Sequence, residues 1–87
     1  MSLSKSKKAA VLRYDATRDQ APRVVAKGRG KMAERIVALA QQHHVPLVED
    51  RNLVQVLEAL DLNTDIPPEL YQAVAEVLVF VYRMNRQ

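Results

Sequence analysis

The sequence predicts a small α/β domain, a mixed β-sheet of three to four strands flanked by about three helices in the order β-β-α-β-α-α. Three observations predict it. Two short apolar runs, AAVLRY at 9–14 and RVVA at 23–26, are separated only by polar and turn residues. After two glycines comes a stretch with apolar residues at helical spacing, and a further short apolar run follows at 46–48. Finally, the 87 residues are 48% hydrophobic and 26% charged. That balance is globular and leaves room for one modest core.

Each element has its reason. Residues 1–8 (MSLSKSKK) show no apolar periodicity and read as a flexible leader to one domain over 9–87. Residues 9–14 are apolar and end in a β-former, which suits a strand. The connection DATRDQAP is rich in turn residues, and Pro22 enters the second strand where no ladder donor is lost. A short loop between two strands favours an antiparallel hairpin, with Val25 in the sheet core.

Gly28 and Gly30 then precede a helix whose inner stripe is Met32, Ile36, Leu39 and His43, broadened by Ala33, Val37 and Ala40. Pro46 disfavours helix at Val45, so this helix should end near His44. Residues 46–48 read as a short buried strand, parallel to its neighbour through a right-handed crossover. Asp50 suits the N-cap of a second helix with Leu53, Val54, Leu57 and Leu60 on one face. After a polar linker at 61–66, Pro67 and Pro68 suit a first helical turn and Glu69 complements its dipole. The last helix carries Leu70, Val74, Val77, Leu78 and Val81 as its inner face. Its other side is also apolar in part, with Ala75, Val79, Phe80 and Tyr82. Such a helix is wedged between layers or meets a partner, and packing within the domain is the reading preferred for a chain this small.

Charge divides the chain. Residues 1–35 carry a balance of +7 and residues 36–87 a balance of −4. Such a dipolar chain steers acidic partners, membrane surfaces or nucleic acid toward its N-terminal half. Cysteine is absent, which removes disulfides and thiolate metal sites. No stretch reaches the ~20 apolar residues of a membrane span.

The residues offer little chemistry. His43 and His44 are neighbours, so on a helix they point about 100° apart and cannot clamp one metal. Lys27-Gly28-Arg29-Gly30-Lys31 lacks the spacing and hydroxyl of a phosphate loop. The only serines are Ser2, Ser4 and Ser6, all in the leader, where positioning a nucleophile is implausible. The aromatics Tyr14, Tyr71, Phe80 and Tyr82 are expected in or near the core rather than interleaved with basic residues. No catalytic, metal-binding or cofactor-binding residue is assigned.

Four stretches carry a resemblance: Leu12-Arg13-Tyr14-Asp15, Ala21-Pro22-Arg23-Val24-Val25-Ala26-Lys27-Gly28, Val45-Pro46-Leu47-Val48-Glu49, and Ile66-Pro67-Pro68-Glu69-Leu70-Tyr71-Gln72-Ala73-Val74-Ala75-Glu76-Val77-Leu78. In order and spacing this resembles the cytoplasmic domain of the FlhB/YscU export-gate family, over nearly the whole chain. In that family the domain lies beneath a membrane-embedded half of the gate and helps type III secretion accept substrates and switch substrate class. Members cleave themselves at an Asn-Pro-Thr-His motif, whose asparagine side-chain amide attacks its own backbone carbonyl. Ser4-Lys5-Ser6-Lys7 stands where that motif belongs, and serine has no amide nitrogen to form the cyclic imide. The resemblance therefore implies a short FlhB-like paralogue, similar to the post-cleavage half made separately.

On that resemblance the expected function is a non-catalytic component or modulator of type III, flagellar, protein export. Expected partners are the membrane proteins of the export gate, with export substrates or the length-control protein beside them. The expected place is the cytoplasm, peripheral to the inner-membrane export apparatus, and the expected state is a monomer. The contact surface expected is the basic hairpin and its connection: Arg13, Asp15, Arg18, Asp19, Pro22, Arg23, Lys27, Arg29 and Lys31. The alternative is a small basic nucleic-acid-binding domain using the same half.

Overall fold

The computed structural model describes residues 7–15 and 17–85. Strands β1 (Lys8–Arg13) and β2 (Arg23–Arg29) lead into helices α1 (Lys31–Gln42), α2 (Arg51–Glu58) and, after a 3-10 turn at Pro68–Leu70, α3 (Tyr71–Asn85). The α/β class and the three helices agree with the sequence. Most of the leader expected over residues 1–8 falls outside the described residues, and β1 begins at Lys8.

β1 and β2 form an antiparallel hairpin with Lys8 opposite Arg29 and Arg13 opposite Arg23. Val11 pairs with Ala26 and Leu12 with Val24, so Val25 is the extra residue of a bulge. This corrects the placing of Val25 in the sheet core. Val24 is fully buried instead, and Val25 is only partly covered.

The sheet also departs from expectation in size. Among the described residues it has two strands rather than three or four, both antiparallel. Residues 45–48 form no strand and lie exposed. Pro46 removes one ladder donor from a four-residue run. The Val45 N–H is already committed to Ala40 O at 2.8 Å. With His44 N–H on Gln41 O at 3.3 Å and His44 at φ 58°, this is the left-handed termination that closes α1.

A two-stranded ribbon is marginal alone, and here both faces and one edge are covered. One face meets α1 at Gly28. A Cβ added there would lie 2.9 Å from Met32 Cβ and 3.2 Å from Ile36 Cδ1, so only glycine lets the helix approach this closely. The buried side of α1 is Ala33, with Ile36, Val37 and Ala40 half-buried. Met32, Leu39 and His43 are exposed, which rotates the inner stripe from the one expected.

On the other face Val24, Leu57, Ile66 and Val74 form the core cluster, with Ala10, Leu12, Leu53, Leu60, Leu70 and Leu78 packed on it. Asp50 caps α2 as expected, its side chain accepting from Leu53 N–H at 3.0 Å. Residues 61–66, read from sequence as a polar linker, close the outer edge of β2. Asn63 N–H donates to Val24 O at 2.8 Å and Ile66 N–H to Pro22 O at 3.0 Å. Ile66, at 2% exposure, seals the core beneath.

Candidate docking surface

The expected contact residues divide between the two ends of the hairpin. At the loop end, Asp15 and Asp19 organise the connection. Asp15 Oδ1 accepts from Thr17 N–H at 3.0 Å and Thr17 Oγ1 at 2.6 Å. Asp19 Oδ2 accepts the Asp15 N–H, and its Oδ1 accepts from Arg13 Nη2, both at 3.0 Å. The Thr17 hydroxyl and amide hold the Asp15 carboxyl below its ordinary range. The Asp15 amide, then Arg13, does the same for Asp19. The loop carboxylates are thus acceptors that shape the turn.

Arg23 reaches across to Asp65, Nε to Oδ1 at 2.9 Å, tying β2 to the loop that covers its edge. At the open end, Lys27 donates to Leu60 O just beyond the C-terminus of α2, where unpaired carbonyls gather. Arg29 binds Glu58 through both Nε and Nη2, the latter at 3.1 Å. Arg29 thereby holds the Glu58 carboxyl below its ordinary range, and Glu58 raises the Arg29 guanidinium. Arg13, Arg23 and Arg29 are therefore spent on internal carboxylates, and Lys27 on a backbone carbonyl. Two of the three ion pairs, Arg23 with Asp65 and Arg29 with Glu58, join the basic half of the chain to the acidic half. Arg18 and Lys31 are exposed and have no ion-pair partner among the described residues.

Pro22 belongs to a different feature. With Tyr14, Gln20 and Ala21 from the hairpin connection, and Tyr71, Ala75 and Leu78 from α3, it lines a groove of about 230 Å³. Ala21 is buried at its floor, while Tyr14 and Tyr71 are 45% and 46% exposed. Sequence reasoning missed this groove because it assigned the aromatics to the core. In the structure Tyr14, Tyr71, Phe80 and Tyr82 are all exposed, as are Ala75 and Val79. The second apolar side of α3 is thus uncovered, contrary to expectation. The available signal was that apolar excess itself, on a helix whose opposite side already sufficed for the core.

Other motifs have structural roles. Gly30, at φ 55°, turns β2 into α1 and donates its N–H to Lys7 O at 2.8 Å. His44 terminates α1. Among the described residues no group of three or more His, Cys, Asp or Glu side chains is placed to hold a metal ion. No described helix is long and apolar enough to cross a membrane. The self-cleavage position at residues 4–7 lies, but for Lys7, outside the described residues.

Comparison with known proteins gives these features a setting. The chain is 42% identical over 79 residues to the uncharacterized protein YlqH of Bacillus subtilis, covering 91% of this chain and 85% of that one. It is 43% identical over 79 residues to the flagellar biosynthetic protein FlhB of Yersinia enterocolitica, covering 90% of this chain but 21% of that protein. It therefore spans about a fifth of the FlhB it matches. The crystal structure of the PscU C-terminal domain superposes with a TM-score of 0.81 at 28% identity, covering 85% of this chain and 95% of that one. The fold described above is that of this C-terminal domain. Residues 6–81 match the family described as the FlhB HrpN YscU SpaS Family, and with these agreements the chain belongs to that family.

Proposed function

We propose that this chain is a non-catalytic docking module of type III, flagellar, protein export, working on the cytoplasmic side of the inner membrane with the export-gate proteins. The groove between the hairpin connection and α3 carries the reading. It is concave, apolar, bordered by half-exposed tyrosines and built from two distant segments of the chain. Such a surface takes an apolar side chain or short apolar stretch of another protein, with Gln20 at hand for a backbone hydrogen bond. Pro22 is the member of the expected contact set that lines it. Arg18 and Lys31 keep their charge available for steering, while Arg13, Asp15, Asp19, Arg23, Lys27 and Arg29 shape and fasten the hairpin that presents it.

The match to FlhB over most of this chain supports the assignment to export. In this reading the module acts beside, or in place of, the corresponding domain of a full-length relative. No cleavage is assigned to it, because Ser4-Lys5-Ser6-Lys7 carries no asparagine. The test is capture from cells with the tagged chain. Export-gate proteins or export substrates should be recovered, and Tyr14→Ser with Tyr71→Ser should lower that recovery at least about tenfold while the fold persists. Recovery of neither class, together with normal export after deletion, overturns the proposal.

A further inference from the structure

Helix α3 turns Val74 and Leu78 toward the core, next to Leu70 of the 3-10 turn, and leaves its opposite side open. There Gln72, Ala75, Glu76, Val79, Phe80 and Arg83 surround a shallow groove. Val79 is 49% and Phe80 55% exposed. Glu76 and Arg83 are exposed, and neither has an ion-pair partner among the described residues. Seven residues apart, they share a face but stand two turns from each other, too far to pair within one helix.

This pattern is its own complement under a two-fold axis. With two α3 helices antiparallel about a point between Val79 and Phe80, Glu76 of each copy faces Arg83 of the other. The same alignment sets Val79 against Phe80 twice. A parallel pair would oppose Glu76 to Glu76 and Arg83 to Arg83, so charge selects the antiparallel arrangement. A lipid surface fits poorly, because the face carries no net charge to draw it and both ionised side chains would lose water without a partner. We infer that this face is covered by a second copy of the chain, giving an antiparallel two-fold helix pair in place of the monomer expected from the sequence. Two apolar contacts ringed by two charge pairs make the interface. It is smaller than the ~800 Å² per partner of a standard stable complex, so the pair forms reversibly with concentration.

Sedimentation equilibrium of the full chain from about 1 µM to about 500 µM tests this. The average mass should climb from 9.8 kDa toward twice that value. Glu76→Arg and Arg83→Glu each oppose like charges at both pairs and should weaken association at least about tenfold. The double variant Glu76→Arg/Arg83→Glu recreates both pairs reversed and should restore it to within about threefold. Both residues are exposed, so circular dichroism melts should match the parent and separate lost association from lost folding. A mass fixed at 9.8 kDa throughout, association indifferent to the single changes, or a double variant as weak as the singles would each overturn the inference.

Discussion

At the scale of single residues, the bulge decides which valine matters. Val24 is fully enclosed by the core cluster and Val25 is its half-covered neighbour. Val24→Asp places an unpaired charge in that core, at a cost of several kcal/mol. That is most of the roughly 5–10 kcal/mol a domain of this size holds in reserve. The variant should show no cooperative thermal transition, whereas Val25→Asp should still melt cooperatively at a lower temperature. The reverse ranking would mean that the register is wrong. Three carboxylates, two in the hairpin connection and one at the end of α2, make a second prediction, in pH. Asp15, Asp19 and Glu58 are held below their ordinary ranges in the fold. A carboxylate depressed on folding stabilises above its unfolded pKa and loses that contribution as pH falls through the folded value. Stability should therefore be flat above about pH 5 and decline as pH drops into the carboxylate range. Carboxyl-carbon NMR titration checks this directly, and Asp15 and Asp19 midpoints at or above those of unstructured peptides would contradict it.

Elements were legible where periodicity and turn chemistry agree. The hairpin, the Asp50 cap and the three helices follow from alternation, capping and 3.6-residue spacing. The buried side of α1 did not follow, because the deciding contact is at Gly28, where a missing side chain draws Met32 and Ile36 toward the strand. Gly28→Ala should push α1 outward and lower stability by about 1–3 kcal/mol, readable in urea denaturation with little change in slope. Asp50→Ala should cost about 1 kcal/mol by removing the cap of α2. Residues 46–48 read as a strand from apolarity alone, but a strand requires a neighbour that composition cannot supply. Ile66 sits among polar residues and reads as linker, though it closes the core. The groove was illegible for the same reason: Tyr14 and Tyr71 come to line one groove only through tertiary packing.

Across the whole molecule, the opposed charges of the two halves of the chain meet in the fold. Arg23 with Asp65 and Arg29 with Glu58 span 42 and 29 residues, and the backbone bonds of Asn63 and Ile66 run alongside. Protection should therefore be uneven. Amide hydrogen exchange should be slowest in β2 and fastest at residues 47–49, which are exposed and belong to no strand ladder among the described residues. Slow exchange at 47–49 in the isolated chain would show a partner strand that the fold described above does not contain.

The fastening of residues 61–66 along β2 has a mechanical consequence. The chain folds as two segments clasped across their middle, joined by a covalent bridge at 43–50 whose side chains are all exposed. A protease that cuts there severs the polypeptide without touching the clasp. The two pieces should elute together in native buffer and part only in denaturant, so for this domain an unbroken backbone and an intact shape are separate properties.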